Sequence, residues 1–256
     1  MKANTAIRKG ASASDKVKLR ISEIYASLQG EGLLTGVPST FVRTSGCNLR
    51  CWFCDTKFAS WQPEGDQLSI EEIGARVGAL HPDHVVLTGG EPMMFNAVGP
   101  LTKHLCRSRD GQVRHITIET AGTVMQDVTA DLMSISPKLS RSGPTDQQVA
   151  SGQIAASWQD QHEIARKRLD VIAELVERYE YQLKFVVDTL ADAQEVLDFL
   201  ERFEGWSAER VLLMPQGVTE QQLDQQAEWL MPWCQQHNFR FCPRSHIHWF
   251  GNRRGT

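Results

Sequence analysis

His84-Val-Val-Leu-Thr88 is apolar at successive positions rather than alternate ones, the pattern of a strand covered on both faces. Around it, β-rich runs alternate with helical patterns along most of the chain. Residues 17–25, 39–45, 115–120, 132–136, 182–187, 210–215 and 239–242 read as further strands. Residues 69–80, 97–108, 161–180, 189–203 and 219–237 read as helical. Two of these open on capping boxes, Ser69 with Glu72 and Thr219 with Gln222. The 189–203 helix places Leu190, Ala193, Val196, Leu197 and Leu200 on one face. Strands interleaved with helices require crossover connections, and so a mostly parallel sheet flanked by helices. The six strands from His84 onward fall short of an eightfold parallel barrel. The expected architecture is therefore α/β, a partial, open TIM-like barrel in one domain over 17–256, behind a flexible tail at 1–16. Residues 139–157 break the rhythm with a polar stretch of no clean period, which reads as a long functional or disordered loop.

Composition removes several classes of function. With 41% apolar residues and a formal charge of −4, the chain can build a core and carries no electrostatic footprint for nucleic acid. No run of about 18 apolar residues suggests a membrane span. The basic start lacks the apolar segment of a secretory signal, so a reducing cytoplasm is the expected location. Six cysteines are too few for a disulfide scaffold, yet three of them fall at 47, 51 and 54. Cys106, Cys234 and Cys242 are scattered and read as small buried hydrophobes.

Cys47-Asn-Leu-Arg-Cys51-Trp-Phe-Cys54 follows a strand. Thiolates hold iron–sulfur clusters, and the cubane form takes four ligands, of which only three are local here. No further cysteine or histidine occurs before His81, which leaves one iron open to a non-protein ligand such as S-adenosylmethionine. Zinc is the alternative, but it wants a closed set of four protein ligands. Such a set would have to recruit Cys106 or a distant histidine. Beyond the loop, Thr88-Gly89-Gly90-Glu91-Pro92 ends the apolar strand, where open α/β sheets place ligands.

With that spacing the chain resembles the radical S-adenosylmethionine superfamily. Within it, the chain resembles the 7-carboxy-7-deazaguanine synthases of queuosine and 7-deazapurine biosynthesis. The resemblance rests on Glu23-Ile-Tyr-Ala-Ser-Leu-Gln-Gly-Glu-Gly32, Gly36-Val-Pro38, Phe41-Val-Arg43, Gly46 through Cys54-Asp-Thr56, Leu87 through Pro92, Glu119-Thr120-Ala-Gly122 and Ser136-Pro137-Lys138. It implies a radical S-adenosylmethionine core and a 4Fe-4S cluster on Cys47, Cys51 and Cys54. It further implies reductive cleavage of S-adenosylmethionine and ring contraction of 6-carboxy-5,6,7,8-tetrahydropterin to 7-carboxy-7-deazaguanine with loss of ammonia. By the same resemblance Phe53, Cys54, Asp55, Gly90, Glu91, Ser136, Pro137 and Lys138 contact the cofactor, and Thr56 holds magnesium. Leu28, Gln29, Gly30, Glu31, Arg43, Thr88 and Thr256 then meet the pterin. A flavodoxin or ferredoxin as electron donor and a homodimer are implied as well.

Plainer readings stand beside these. Asp55 and Thr56 could cap a turn, Arg43 could face solvent from its strand, and Ser136-Pro137 would end a strand whatever its function. The histidine-containing tail from Cys242 could be a solvated basic end. A glycyl-radical activase shares the cysteine spacing, and a zinc-stabilised binding module is the alternative from another class.

Overall fold

The structure, a computed structural model, describes residues 17–108 and 110–256; the tail expected at 1–16 lies outside the described residues. One sheet holds β1 (Lys18–Leu28), β2 (Pro38–Thr44), β3 (Asp66–Ser69), β4 (His84–Gly89), β5 (His115–Thr120), β6 (Leu132–Ile135), β7 (Tyr181–Val187), β8 (Val211–Pro215) and β9 (Arg240–Phe241). Their spatial order is β3-β1-β2-β4-β5-β6-β7-β8-β9. Every neighbouring pair from β2 to β9 is parallel, whereas β1 runs antiparallel to both β2 and β3. The order ends at β3 and β9 without closing, the open partial barrel that alternation predicts.

The helices are α1 (Lys57–Ser60), α2 (Ile70–Val77), α3 (Val98–Leu105), α4 (Asp146–Ala150), α5 (Ser157–Arg166), α6 (Leu169–Arg178), α7 (Leu190–Leu200), α8 (Glu220–Gln236) and α9 (Ser245–Phe250). None is long and apolar enough to cross a membrane. Val85, Val86 and Leu87 of β4 are wholly buried, as a strand covered on both faces must be. Ile73 and Val77 of α2, Leu101 and Leu105 of α3, Ile172 and Leu175 of α6, and Ala193 and Val196 of α7 share one core with the strands.

Local sequence chemistry explains most boundaries and several departures. Ser69 and Glu72 bond reciprocally at the start of α2, a full capping box. Thr219 caps α8 in one direction only, because the Gln222 side chain accepts from Val218 N–H instead of from Thr219. The 161–180 stretch is two helices, since Arg168 leaves helical backbone (φ −82°, ψ 61°) between α5 and α6. Residues 139–157 are not a bare loop: a 3₁₀ turn at Ser140–Ser142 precedes α4, and Thr145 with Gln148 boxes its start. On α7, Leu190 is exposed, and the buried face is Ala193, Val196, Phe199 and Leu200. Among the scattered cysteines Cys234 and Cys242 are buried, while Cys106 is partly exposed.

Candidate active site

All three clustered cysteines line one cavity inside the open barrel. The register that sets Arg43 beside Thr88 and Thr44 beside Gly89 brings the ends of β2 and β4 level, so the cysteine loop and the Gly-Gly turn leave the sheet together. Their backbones interlock, Gly90 N–H donating to Thr44 O at 3.3 Å and Glu91 N–H to Gly46 O at 2.9 Å. Gly89 sits at φ +149°, and a Cβ on Gly90 would stand 2.2 Å from Gly46 O, so the turn admits no side chain there. Gly90→Ala is expected to push the cysteine loop aside and cost ~1–3 kcal/mol, read as a lower denaturation midpoint.

Burial pushes the Cys51 thiol up to about 12 and raises Cys47 as well, so in the metal-free chain both are protonated at neutral pH. A metal that takes them displaces those protons. Cys54 Sγ lies 3.0 Å from Ser60 Oγ. The lining includes no fourth cysteine, and its histidine, His246, stands 3.9 Å from Glu31 Oε1 rather than beside the thiols. Cys106 instead donates to Lys103 O at the end of α3. This donor set fits a cluster with one open iron and does not make the closed set that zinc requires.

Of the residues expected at the site, Leu28, Gln29, Gly30, Glu31, Arg43, Phe53, Asp55, Thr56, Thr88, Gly90, Ser136, Lys138 and Thr256 also line the cavity. Glu91 and Pro137 do not. The Glu91 carboxylate is wholly buried and accepts from Met93 N–H at 3.0 Å, Thr120 Oγ1 at 2.7 Å and Ala121 N–H at 2.7 Å. It ties the turn to the end of β5.

Arg43 faces inward, not to solvent. Its Nε donates to Glu23 at 2.7 Å and Nη2 to Tyr25 OH at 3.1 Å, while Nη1 has no partner among the described residues. Thr56 begins α1 without a side-chain cap bond, so its hydroxyl is not consumed by capping. Gln29 is more constrained than expected: its amide nitrogen donates to Ser39 Oγ at 3.0 Å and lies 3.4 Å from His84 Nε2, leaving the carbonyl oxygen to offer. Both Glu31 oxygens are likewise engaged, by Lys184 Nζ at 2.6 Å and Arg244 Nε at 3.1 Å. Burial works to raise the Glu31 pKa, but these two cations hold it well below the usual carboxylate range. Arg244 also pairs with Asp55 and donates to Gly217 O at 2.6 Å.

The basic end is therefore not a solvated tail. Ser245 N–H donates to Gly30 O at 2.8 Å, Arg244 is buried, and Arg254 pairs with Glu23 at 2.8 Å and with Glu64. Lys184, Arg244 and His246 were not singled out from the sequence as site residues. A lysine inside the apolar strand Tyr181-Gln-Leu-Lys-Phe-Val-Val187 was the available signal.

Two histidines beside this frame set an acid limit. Burial lowers His162 and His84 to about 4 each, the neighbouring His115 adding to the effect at His84. A folded-state value below the unfolded one means that the unfolded chain binds the proton first. Stability is thus full above the unfolded value of about 6.5 and falls as pH drops toward about 4. His162 alone accounts for ~2–3 kcal/mol, to be checked by denaturant melts across that range.

An open, mostly parallel barrel with three thiols and a Gly-Gly-Glu-Pro turn at one cavity defines a radical S-adenosylmethionine protein, and the Radical SAM superfamily model matches residues 41–138. The chain is 42% identical over 248 residues to a 7-carboxy-7-deazaguanine synthase of Rhodopirellula baltica, covering 96% of this chain and 92% of the relative. It is 39% identical to that of Halobacterium salinarum, with 95% of each covered, and 34% identical to that of Pyrobaculum aerophilum, with 93% and 97% covered. The chain belongs to the 7-carboxy-7-deazaguanine synthase family. The solved structure of QueE from Escherichia coli shares its fold, with a TM-score of 0.66, 24% identity, and 91% of this chain and 96% of that one covered. A glycyl-radical activase and a zinc-stabilised module are not favoured.

Proposed function

We propose that this chain contracts the ring of 6-carboxy-5,6,7,8-tetrahydropterin to 7-carboxy-7-deazaguanine, releasing ammonia, as a carbon–nitrogen lyase. The observation that carries the reading is the trio Cys47, Cys51 and Cys54 on one cavity wall with no fourth thiol beside it, in a chain of this family. A 4Fe-4S cluster on those sulfurs, with S-adenosylmethionine at its open iron, supplies the hydrogen-abstracting radical when bound. Phe53, Asp55, Gly90, Ser136 and Lys138 line the wall where that cofactor would lie. Lys138 is held by Ser136, through both its carbonyl and its hydroxyl, at 2.7 Å each.

The chain's own work is to orient and to exclude water. Arg43, fixed by Glu23 and Tyr25, presents a positive end for the pterin carboxylate. Glu31, Asp55 and Glu119 pair with Lys184 and Arg244, so the charges of that wall are held in fixed positions. Thr56, whose hydroxyl makes no cap bond and lies 3.7 Å from Cys54 Sγ, is the residue to hold magnesium together with substrate oxygens. His246 and Thr256 of the C-terminal segment complete the lining. A flavodoxin or ferredoxin as electron source, a homodimer and a cytoplasmic location complete the reading.

Anaerobic incubation of the reconstituted protein with the carboxytetrahydropterin, S-adenosylmethionine, magnesium and a low-potential reductant tests it. Mass analysis should show 7-carboxy-7-deazaguanine, and its absence with the cluster loaded would overturn the assignment.

A further inference from the structure

The polar stretch that breaks the sequence rhythm is fastened to the cysteine loop. Cys51 sits between Arg50 and Trp52; the backbone N–H of Trp52 is bonded to this stretch and that of Arg50 to α5, which follows it. Arg50 N–H donates to His162 Nδ1 at 3.0 Å, and Trp52 N–H donates to Ser142 O at 3.0 Å. With Nδ1 accepting, the ring proton lies on Nε2, which donates to Ser142 Oγ at 2.9 Å. That hydroxyl donates in turn to Leu139 O at 2.6 Å. The chain of donors therefore runs in one direction from the cysteine loop to the 3₁₀ turn.

Side chains repeat the attachment. The Arg50 guanidinium lies 3.7 Å over the Trp158 ring of α5, and Trp52 Nε1 donates to Arg141 O at 2.9 Å. The turn is itself anchored, Ser140 N–H donating to Glu195 of α7 at 2.7 Å. His162 and Ser142 are 1% and 3% exposed, so water is poorly placed to replace either partner.

We infer that residues 139–166 are a template that holds the backbone around Cys51 in its ligand-bearing shape before any cluster is present, with His162 as the positioning residue. The inference deepens the proposed function and rests on it for what the sulfurs bind. A loop already in shape pays less ordering entropy when it takes up iron, and releases it more slowly.

Amide hydrogen exchange on the cofactor-free chain reads the template directly. His162→Ala is expected to speed exchange at Arg50 roughly tenfold, because a buried donor loses its acceptor. His162→Asn places an oxygen near the Nδ1 position and should restore slow exchange. His162→Gln reaches the Ser142 side and should not. Ser142→Ala, which deletes only the hydroxyl link, is the second variant should the alanine at 162 fail to fold, and should speed Arg50 exchange by a smaller factor. After reconstitution with ferrous iron and sulfide, a chelator should strip iron several-fold faster from His162→Ala than from wild type or His162→Asn. Unchanged Arg50 exchange in both the alanine and Ser142 variants overturns the template, as does equal acceleration in the alanine and asparagine variants. Unchanged iron loss overturns its link to the cluster. A wild-type chain that takes up no iron and sulfide contradicts the proposed function alone, and the exchange comparison still decides the template.

Discussion

Cys51→Ala is expected to fold and to lose both cluster and turnover. Cys51 is the middle ligand of the three and is 8% exposed, so its loss leaves two thiols to hold a site that needs three. Deleting one small buried sulfur costs about 1 kcal/mol or less of stability, which separates loss of chemistry from loss of fold. Iron and acid-labile sulfide should fall to background while the melting transition stays cooperative. Product formation at the wild-type rate in this variant would show that the cysteine loop has another task.

Lys184→Met is expected to have the largest effect on stability. Lys184 is 5% exposed, 2.6 Å from Glu31 and 3.7 Å from Glu119. Its removal leaves a buried carboxylate with Arg244 as its close cation, and breaking a buried pair from one side costs about 3–5 kcal/mol. The Glu31 pKa should climb in the variant, and adding Glu31→Gln should recover part of the loss, since the stranded charge disappears with it. Equal unfolding free energies for wild type and the single variant, measured in denaturant, would rule out a structural role for the pair.

The fold was legible wherever hydrophobic period carried it. The strand at 84–88 announced its two-faced burial through three successive apolar residues, and Ser69 with Glu72 marked a helix start that the structure keeps. What escaped was short or set by distant partners. β3 is four residues long and takes its conformation from pairing with Lys18–Ile21, and α1 is a single turn. Leu190 fits a helical period but lies at the first position of α7, where the chain has not yet reached the core. The cysteines and the Gly-Gly turn were legible because their spacing is local, whereas the strand pattern left the facing of Arg43 open. The three donors to Glu91 were not legible, because they come from the fold of the turn and from the end of β5. Arg244 was missed because its meaning lies in Glu31 and Asp55, 213 and 189 residues away. The 139–157 stretch looked irregular for a related reason, since its 3₁₀ turn and α4 are too short to show a period and its bonds run to the distant cysteine loop.

Quantification of iron, zinc and acid-labile sulfide in anaerobically prepared wild-type protein tests the central claim most directly. A three-thiolate site with a vacant iron corner requires about four irons and about four sulfides per chain, with negligible zinc. One zinc per chain and no sulfide would contradict it.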